Sequence, residues 1–352
     1  MIRSRLFLTA TVFALSLLVP RLGAGQDVRT FGPLQVKPGE VVSGFLPVPE
    51  IGGIGAAIPV TIIRGLKPGK TLALVAGVHG YEYPPVLALY RLKDTLDPKS
   101  LSGTLVLVHI ANPPSFQKRT VYFNPHDGKN LNRVFPGDPK GTLSQRMAFV
   151  LTEEVVKKCD ALVDMHCGDG NEALMLYSYW MISPSEELNA RTKEMALAFG
   201  LRHIIIDATR GPDPKDSKYL GNTALTRGIP AITTEAGMLG RVDEDSIARN
   251  VQGARNVMQL LKMIDGKPPV LADPVWIDKY EVVNSNFDGL FVPQVELSAM
   301  VAAGQTVGVV KDYFGVVKEE IKAPFAGIIL YILGTPPANK NEPLFEVGRI
   351  KK

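Results

Sequence analysis

The stretch Thr71-Leu-Ala-Leu-Val-Ala-Gly-Val78 decides the fold class of this chain. It is a continuous apolar run, which is typical of a strand buried on both faces of a sheet. Similar strand-like runs occupy residues 103–110, 161–165, 203–206 and 230–234. Helical patterns separate them at 84–96, 143–158, 183–200 and 243–264. Strands that alternate with helices predict an α/β domain with a largely parallel sheet.

The composition and the predicted secondary structure of the sequence change after Gly266. Residues 267–274 are rich in proline and predict a linker. From Val275 onward, short β-branched runs are broken by Gly and Pro, and no helical period appears. We therefore expect an α/β domain over residues 26–266 and a small all-β C-terminal module over 275–350.

Composition places the chain among ordinary globular proteins. Of its 352 residues, 45% are hydrophobic and 21% are charged, and the formal net charge is +4. Lys and Arg are scattered along the sequence and form no basic cluster, so we expect no nucleic-acid binding. The two cysteines, Cys159 and Cys167, flank a predicted strand that would hold them too far apart for a disulfide. We expect both thiols to be free and buried.

The N-terminus has the pattern of a signal peptide. Arg3 and Arg5 precede an apolar run from Leu6 to Val19, and small residues follow just before Gln26. That run is shorter than the roughly 20 residues that span a bilayer. We expect residues 1–25 to be removed, which would leave no membrane span; an uncleaved anchor is the alternative. Either outcome places the folded part in the periplasm or outside the cell.

A candidate metal site lies at the ends of the predicted strands. His79 follows the first strand directly, Glu82 comes three residues later, and His166 follows the strand at 161–165. Ligands in open α/β sheets bind beyond the carboxyl ends of strands. Two His and one Glu with an open fourth position are typical of a catalytic zinc site. His79 alone could equally be a packed loop histidine.

Further polar residues are candidates for the chemistry around this site. Glu235 follows a third strand and is placed to act as a general base on water. Asn132 and Arg133 lie in an irregular loop and suggest a clamp for a carboxylate, although a solvated surface turn explains them as well. His109 and His203 lie in predicted strands and are expected to be structural.

Four short motifs together resemble the succinylglutamate desuccinylase/aspartoacylase family of the zinc carboxypeptidase-like fold group. They are His79-x-x-Glu82, Asn130-Leu-Asn-Arg-Val-Phe-Pro-Gly137, Asp164-Met-His166 and Thr234-Glu-Ala-Gly237. The resemblance implies a zinc-carboxypeptidase-like domain with a central mixed sheet, one Zn²⁺ on His79, Glu82 and His166, and Glu235 as general base. It also implies that Asn132 and Arg133 grip a substrate carboxylate, that Arg119 polarises the scissile carbonyl, and that the β module covers the cleft.

The chain departs from the family pattern at two places. Family members usually carry Asp two residues before the Asn-Arg pair, where this chain has Asn130. After His166 the chain reads Cys-Gly-Asp-Gly-Asn-Glu172, so Asp169 and Glu172 add negative charge near the expected pocket.

The expected activity is hydrolysis of an amide bond in a small N-acyl amino acid. An exported carboxypeptidase acting on short peptides is the rival enzyme, and pocket volume would separate the two. A metal-dependent binding protein without catalysis is the alternative outside enzymes, although Glu235 would then have no task.

Overall fold

The computed structural model describes residues 27–352, so the predicted signal peptide lies outside the described residues. This part of the chain contains 19 strands and six α-helices. The strands are β1 (Arg29–Phe31), β2 (Leu34–Val36), β3 (Val41–Ile51), β4 (Ile54–Arg64), β5 (Lys67–Val75), β6 (Ser102–Val108), β7 (Ala161–His166), β8 (Glu172–Leu174), β9 (Tyr177–Met181), β10 (His203–Asp207), β11 (Ala231–Glu235), β12 (Val275–Asn284), β13 (Gly289–Pro293), β14 (Met300–Val301), β15 (Thr306–Lys311), β16 (Val317–Lys322), β17 (Gly327–Leu333), β18 (Pro337–Ala338) and β19 (Pro343–Ile350). The helices are α1 (Tyr83–Asp94), α2 (Pro113–Lys118), α3 (Leu143–Glu154), α4 (Glu186–Phe199), α5 (Leu220–Leu225) and α6 (Glu244–Leu260).

A mixed sheet of 13 strands forms the centre of the molecule. Its middle follows the order β10-β9-β11-β7-β5-β6-β4-β3, and the pairs β5–β6, β5–β7, β7–β11 and β9–β10 are parallel. The strands β9 and β11 are antiparallel, as are β3, β4 and β6 along one edge. The predicted α/β fold with a central mixed sheet is therefore confirmed. Five of the twelve strand pairs in this sheet are parallel, and all five lie between β12 and β6.

Helices cover both faces of this sheet, which explains the continuous apolar runs. Along β5, Leu72 and Leu74 pack in one core with α1, α4 and α6, while Ala73 and Val75 pack in the opposite core with α3 and α5. Successive side chains of a strand point to opposite faces, so a strand covered on both sides must be apolar at every position.

Residues after α6 form the predicted all-β region. A separate antiparallel sheet has the order β16-β15-β13-β18. The other strands extend the central sheet, because β12 pairs in parallel with β10 and antiparallel with β19. Residues 267–274 contain no helix or strand. The division at 266 and 275 stays a prediction, since the C-terminal strands share the central sheet.

Two local features complete the fold description. Cys159 and Cys167 are both free and buried. Within residues 27–352, no helix is both long enough and apolar enough to cross a membrane.

Candidate active site

The carboxyl ends of β5, β7 and β11 meet at one edge of the central sheet. His166 is the last residue of β7, and it pairs with Glu235, the last residue of β11. The strand β5 ends at Val75, three residues earlier than predicted, because Gly77 has a φ of 67° and turns the chain out of the sheet. The turn carries His79 across this edge, so all three polar residues face a common space.

Glycine is required on both sides of His79. A Cβ on Gly77 would lie 2.9 Å from Cα of Ile110, in addition to the strain of a positive φ. A Cβ on Gly80 would lie 2.3 Å from the carbonyl oxygen of Thr120. Glu82 then provides the N-cap of α1, which places its carboxylate beside the imidazole of His79. The loop that carries His79 and Glu82 is thus held in place by close contacts between backbone segments.

Two imidazoles converge on one carboxylate. Nδ1 of His79 lies 2.7 Å from Oε1 of Glu82, and Nδ1 of His166 lies 3.1 Å from the same oxygen. The candidate ligand atoms of His79, Glu82 and His166 all lie within 4.8 Å of one another. The structure thus brings together the three residues predicted as metal ligands.

The other nitrogen of each imidazole faces an oxygen acceptor. Nε2 of His79 lies 3.1 Å from Oδ1 of Asn130, and Nε2 of His166 lies 2.9 Å from Oδ1 of Asp164. These partners assign the ring proton to Nε2 in both residues, so each Nδ1 presents a lone pair to Glu82. Lone pairs and a carboxylate repel unless a proton or a cation lies between them.

The electrostatics of this cluster agree with a cation site. Burial raises the pKa of Glu82, but the two histidines outweigh it and lower that pKa to about 2. Burial lowers the pKa of His166, but Asp164 and Glu82 raise it well above its usual value. Oε2 of Glu82 is also buried and makes no hydrogen bond of good geometry within the described residues. A divalent cation would satisfy this oxygen and both Nδ1 lone pairs, so the residues fit a metal ion.

These residues line a cavity of about 360 Å³. Glu235 faces it, as do Asn132 and Arg133. Asn132 is held by Leu220, whose backbone N–H donates to its Oδ1 at 2.8 Å, and its amide nitrogen lies 3.3 Å from Nε2 of His166.

Arg119 does not line this cavity. It is the C-cap of α2, with a φ of 53°. Its predicted role at the scissile carbonyl stays a prediction. The guanidinium groups that line the cavity within residues 27–352 are those of Arg133 and Arg210.

Several cavity residues were not assigned from the sequence. Arg210 forms an ion pair with Asp207, and its guanidinium lies 3.7 Å from the ring centre of Tyr219. Arg133 lies over the same ring at 4.7 Å. Arg210 follows β10 in an irregular segment, so only its place after a strand end could have marked it.

Two acidic residues in the segment 167–172, Asp169 and Glu172, make different contacts with Tyr122. Asp169 is fully buried and accepts a hydrogen bond from the backbone N–H of Tyr122, at 2.8 Å, so it fixes the loop that borders the cavity. Glu172 lines the cavity and accepts a hydrogen bond from the Tyr122 hydroxyl at 2.9 Å.

A mixed α/β fold with a His–Glu–His cluster at the strand ends defines a class of candidate metal-dependent enzymes. Comparison with known proteins gives the family. The profile of the succinylglutamate desuccinylase/aspartoacylase catalytic domain matches residues 68–261. The chain belongs to this family.

Three relatives support the assignment. An N-alpha-acetyl-L-2,4-diaminobutyric acid deacetylase of Halomonas elongata is 30% identical over 302 residues, which cover 82% of this chain and 86% of the relative. A succinylglutamate desuccinylase/aspartoacylase structure from Rhodobacter sphaeroides is 26% identical with a TM-score of 0.77, over 89% of this chain and 96% of that one. The apo structure of the ectoine utilization protein EutE (DoeB) from Ruegeria pomeroyi is 27% identical with a TM-score of 0.73, over 88% and 95%.

Proposed function

We propose that this protein is a zinc-dependent amidohydrolase that removes the acyl group from a small N-acyl amino acid. The observation that carries the proposal is the convergence of two Nδ1 atoms on the carboxylate of Glu82. His79, Glu82 and His166 would hold one Zn²⁺ per chain, since two His and one Glu leave an open position in the manner of catalytic zinc sites. Bound zinc supplies a Lewis acid that lowers the pKa of water and polarises a carbonyl.

Glu235 would move the proton in this reaction. Its enclosure by protein raises its pKa well above the usual value, and Glu82 and Glu172 add to this while His166 opposes it. A carboxylate of raised basicity beside the metal ligands is suited to take a proton from the attacking water and return it to the leaving amine. This assignment rests on the position of Glu235 opposite His166 in the sheet.

Asn132 and Arg133 would orient the substrate by its carboxylate. Arg133 reaches the cavity from a 3-10 turn, and its guanidinium is supported by Tyr219 and by the carbonyl oxygen of Asn132 at 2.8 Å. A guanidinium held in this way binds a carboxylate with defined geometry.

The substrate is proposed to be small. The cavity volume of about 360 Å³ lies at the low end for small-molecule pockets and supports an acyl amino acid over a peptide. The Halomonas relative deacetylates an N-acetyl amino acid, which supports the same substrate class. We also propose that the protein acts outside the cytoplasm, as residues 1–25 predict; N-terminal sequencing of the exported protein would test this.

Replacing Glu235 tests the proposed mechanism. Glu235→Gln should lower kcat by at least about a hundredfold, because the amide cannot carry the proton. Zinc content, measured by mass spectrometry, should stay near one ion per chain. Glu281→Gln is the matched control, because Glu281 is exposed on β12 and does not itself line the cavity. An unchanged rate in Glu235→Gln with zinc retained would contradict the mechanism.

A further inference from the structure

The side chain of Glu346 enters the active-site cavity from the C-terminal strands. Glu346 lies on β19, where it pairs with Tyr331 of β17 and with Val282 of β12. Its side chain lines the same cavity as the candidate metal ligands, and the residue is only 4% exposed. A molecule bound at the ligand cluster can therefore also contact Glu346.

One oxygen of this carboxylate has no hydrogen-bond partner in the described part of the chain. Oε2 of Glu346 accepts a hydrogen bond from the Tyr177 hydroxyl at 3.4 Å. Oε1 is buried and has no hydrogen-bond partner anywhere in residues 27–352. Arg210 is the cation whose charge reaches Glu346, but it is already ion-paired with Asp207. A buried carboxylate oxygen without a partner is costly unless a ligand supplies the missing donor.

A second carboxylate makes this end of the cavity more negative. Glu172 lines the same cavity, and its oxygens accept from the Tyr122 hydroxyl at 2.9 Å and from the backbone N–H of Asp169 at 2.8 Å. Its own hydrogen bonds are thus satisfied, in contrast to those of Glu346. Burial raises the pKa of Glu172 to about 7 and that of Glu346 to about 8, and the charge of Glu172 adds to the rise in the pKa of Glu346. A cation placed beside Glu346 would stabilise its ionised form.

We propose that Glu346 is a specificity-determining residue that binds a positively charged side chain of the substrate. The inference rests on the proposed function and narrows it to N-acyl amino acids whose side chain ends in a primary ammonium group. The ammonium provides three N–H donors, one of which satisfies the free Oε1. The negative charge of Glu172 favours the same cation and disfavours acidic side chains.

Three substrates that differ in the group attached to Cγ test the proposal. Nα-acetyl-L-2,4-diaminobutyrate carries an ammonium, Nα-acetyl-L-norvaline carries a methyl in its place, and Nα-acetyl-L-glutamate carries a carboxylate. The wild type should have the highest kcat/KM for the ammonium substrate and the lowest for the acidic one. Glu346→Gln should lower kcat/KM for the ammonium substrate at least about thirtyfold, as expected for loss of a buried charge pair.

The same variant should leave the methyl substrate within about twofold of the wild type, as should the control Glu281→Gln for all three substrates. Equal losses of Glu346→Gln on all three substrates, or a wild type that prefers the glutamate derivative, would overturn the proposal. If Glu346→Gln does not fold, Glu346→Asp replaces it, since it keeps the charge but withdraws it by one methylene; it should reduce the preference for the ammonium substrate.

Calorimetry separates this inference from the proposed function. Binding of free L-2,4-diaminobutyrate and L-norvaline is measured on the zinc-loaded wild type and on Glu346→Gln. A preference for diaminobutyrate that disappears in the variant, without turnover of any substrate, would support the subsite while the hydrolase proposal fails. No preference in binding and none in turnover would contradict the subsite, whatever the hydrolase activity.

Discussion

Asn130 orients the imidazole of His79 although it is an amide and not a carboxylate. The family usually has Asp at this position, and the amide oxygen of Asn130 accepts a hydrogen bond from Nε2 of His79 at 3.1 Å, as a carboxylate would. The same oxygen accepts from the backbone N–H of Asn132 at 2.8 Å, so it also shapes the turn that carries Arg133. The ring of His79 thus stays oriented by an amide oxygen instead of a carboxylate at Nε2. His166 keeps a true carboxylate, Asp164, in the corresponding place.

His109 should make the stability of the protein depend on pH. Its ring stacks on Tyr90 at 4.8 Å, and its Nε2 lies 2.8 Å from the Thr61 hydroxyl. Its Nδ1 is buried and has no hydrogen-bond partner among residues 27–352. Burial, with a contribution from Lys93, lowers its pKa to about 4. The imidazole of His109 is therefore protonated below about pH 6.5 in the unfolded chain, but only below about pH 4 in the folded protein.

The free energy of unfolding should consequently rise as the pH increases from about 4 to 6.5, and His109 should not contribute to its pH dependence above that range. Chemical denaturation of the wild type and of His109→Gln at several pH values measures this. The slope should be smaller in the variant, whereas His126→Gln, at an exposed loop position, should retain the wild-type slope. Identical slopes in all three proteins would contradict the assignment.

The helix α6 is capped by the residue that directly precedes it. Asp243 is the N-cap, and its carboxylate accepts hydrogen bonds from the backbone N–H and the hydroxyl of Ser246 at 2.8 and 2.9 Å. Asp243→Ala should lower the free energy of unfolding by about 1 kcal/mol. The kcat should be unchanged, because no residue of α6 lines the cavity. Asp216→Ala, which removes an exposed loop carboxylate, is the control; an equal loss in both would show that the cap has no special role.

The elements most readily predicted from the sequence are those covered on both faces. The strands β5, β6 and β7 each contain an unbroken run of five or six buried residues, so their patterns do not depend on knowing the neighbours. The hairpin β3–β4 was not predicted. Its strand β3 lies at the edge of the sheet, has only two buried residues and contains Pro47, which is tolerated at an edge. The strand β9 was also missed, although its antiparallel pairing with β11 makes the sheet mixed.

The residues of the candidate site also differ in how readily the sequence predicts them. His79, Glu82, His166 and Glu235 follow or end buried strands, so their meeting is a consequence of the parallel order of the sheet. Glu346 lies 111 positions after Glu235, on a strand whose neighbours are fixed only by the packing of the C-terminal region. A sequence pattern contains no information about such a contact, which explains why this carboxylate was not predicted.

At the scale of the whole molecule, a metal ion would join separate parts of the fold. His79 and Glu82 belong to the loop between β5 and α1, whereas His166 ends β7 more than eighty residues later. Without a cation, the carboxylate of Glu82 is buried against the Nδ1 atoms of two histidines, and their lone pairs repel it. A ligand that binds only the folded state stabilises it by about 2.7 kcal/mol at a hundredfold excess over Kd.

Removal of the metal should therefore lower Tm by a few degrees. The wild type, as purified with zinc supplied, is heated with and without a chelator and is followed by circular dichroism. The chelator should lower the Tm of the wild type and have no effect on the variant His79→Ala/His166→Ala, which lacks two ligands. Glu235→Gln should respond like the wild type, since its carboxyl is not a ligand. A wild-type Tm that is insensitive to both chelator and added zinc would show that His79, Glu82 and His166 do not form a metal site, and the proposed hydrolase chemistry would lose its basis.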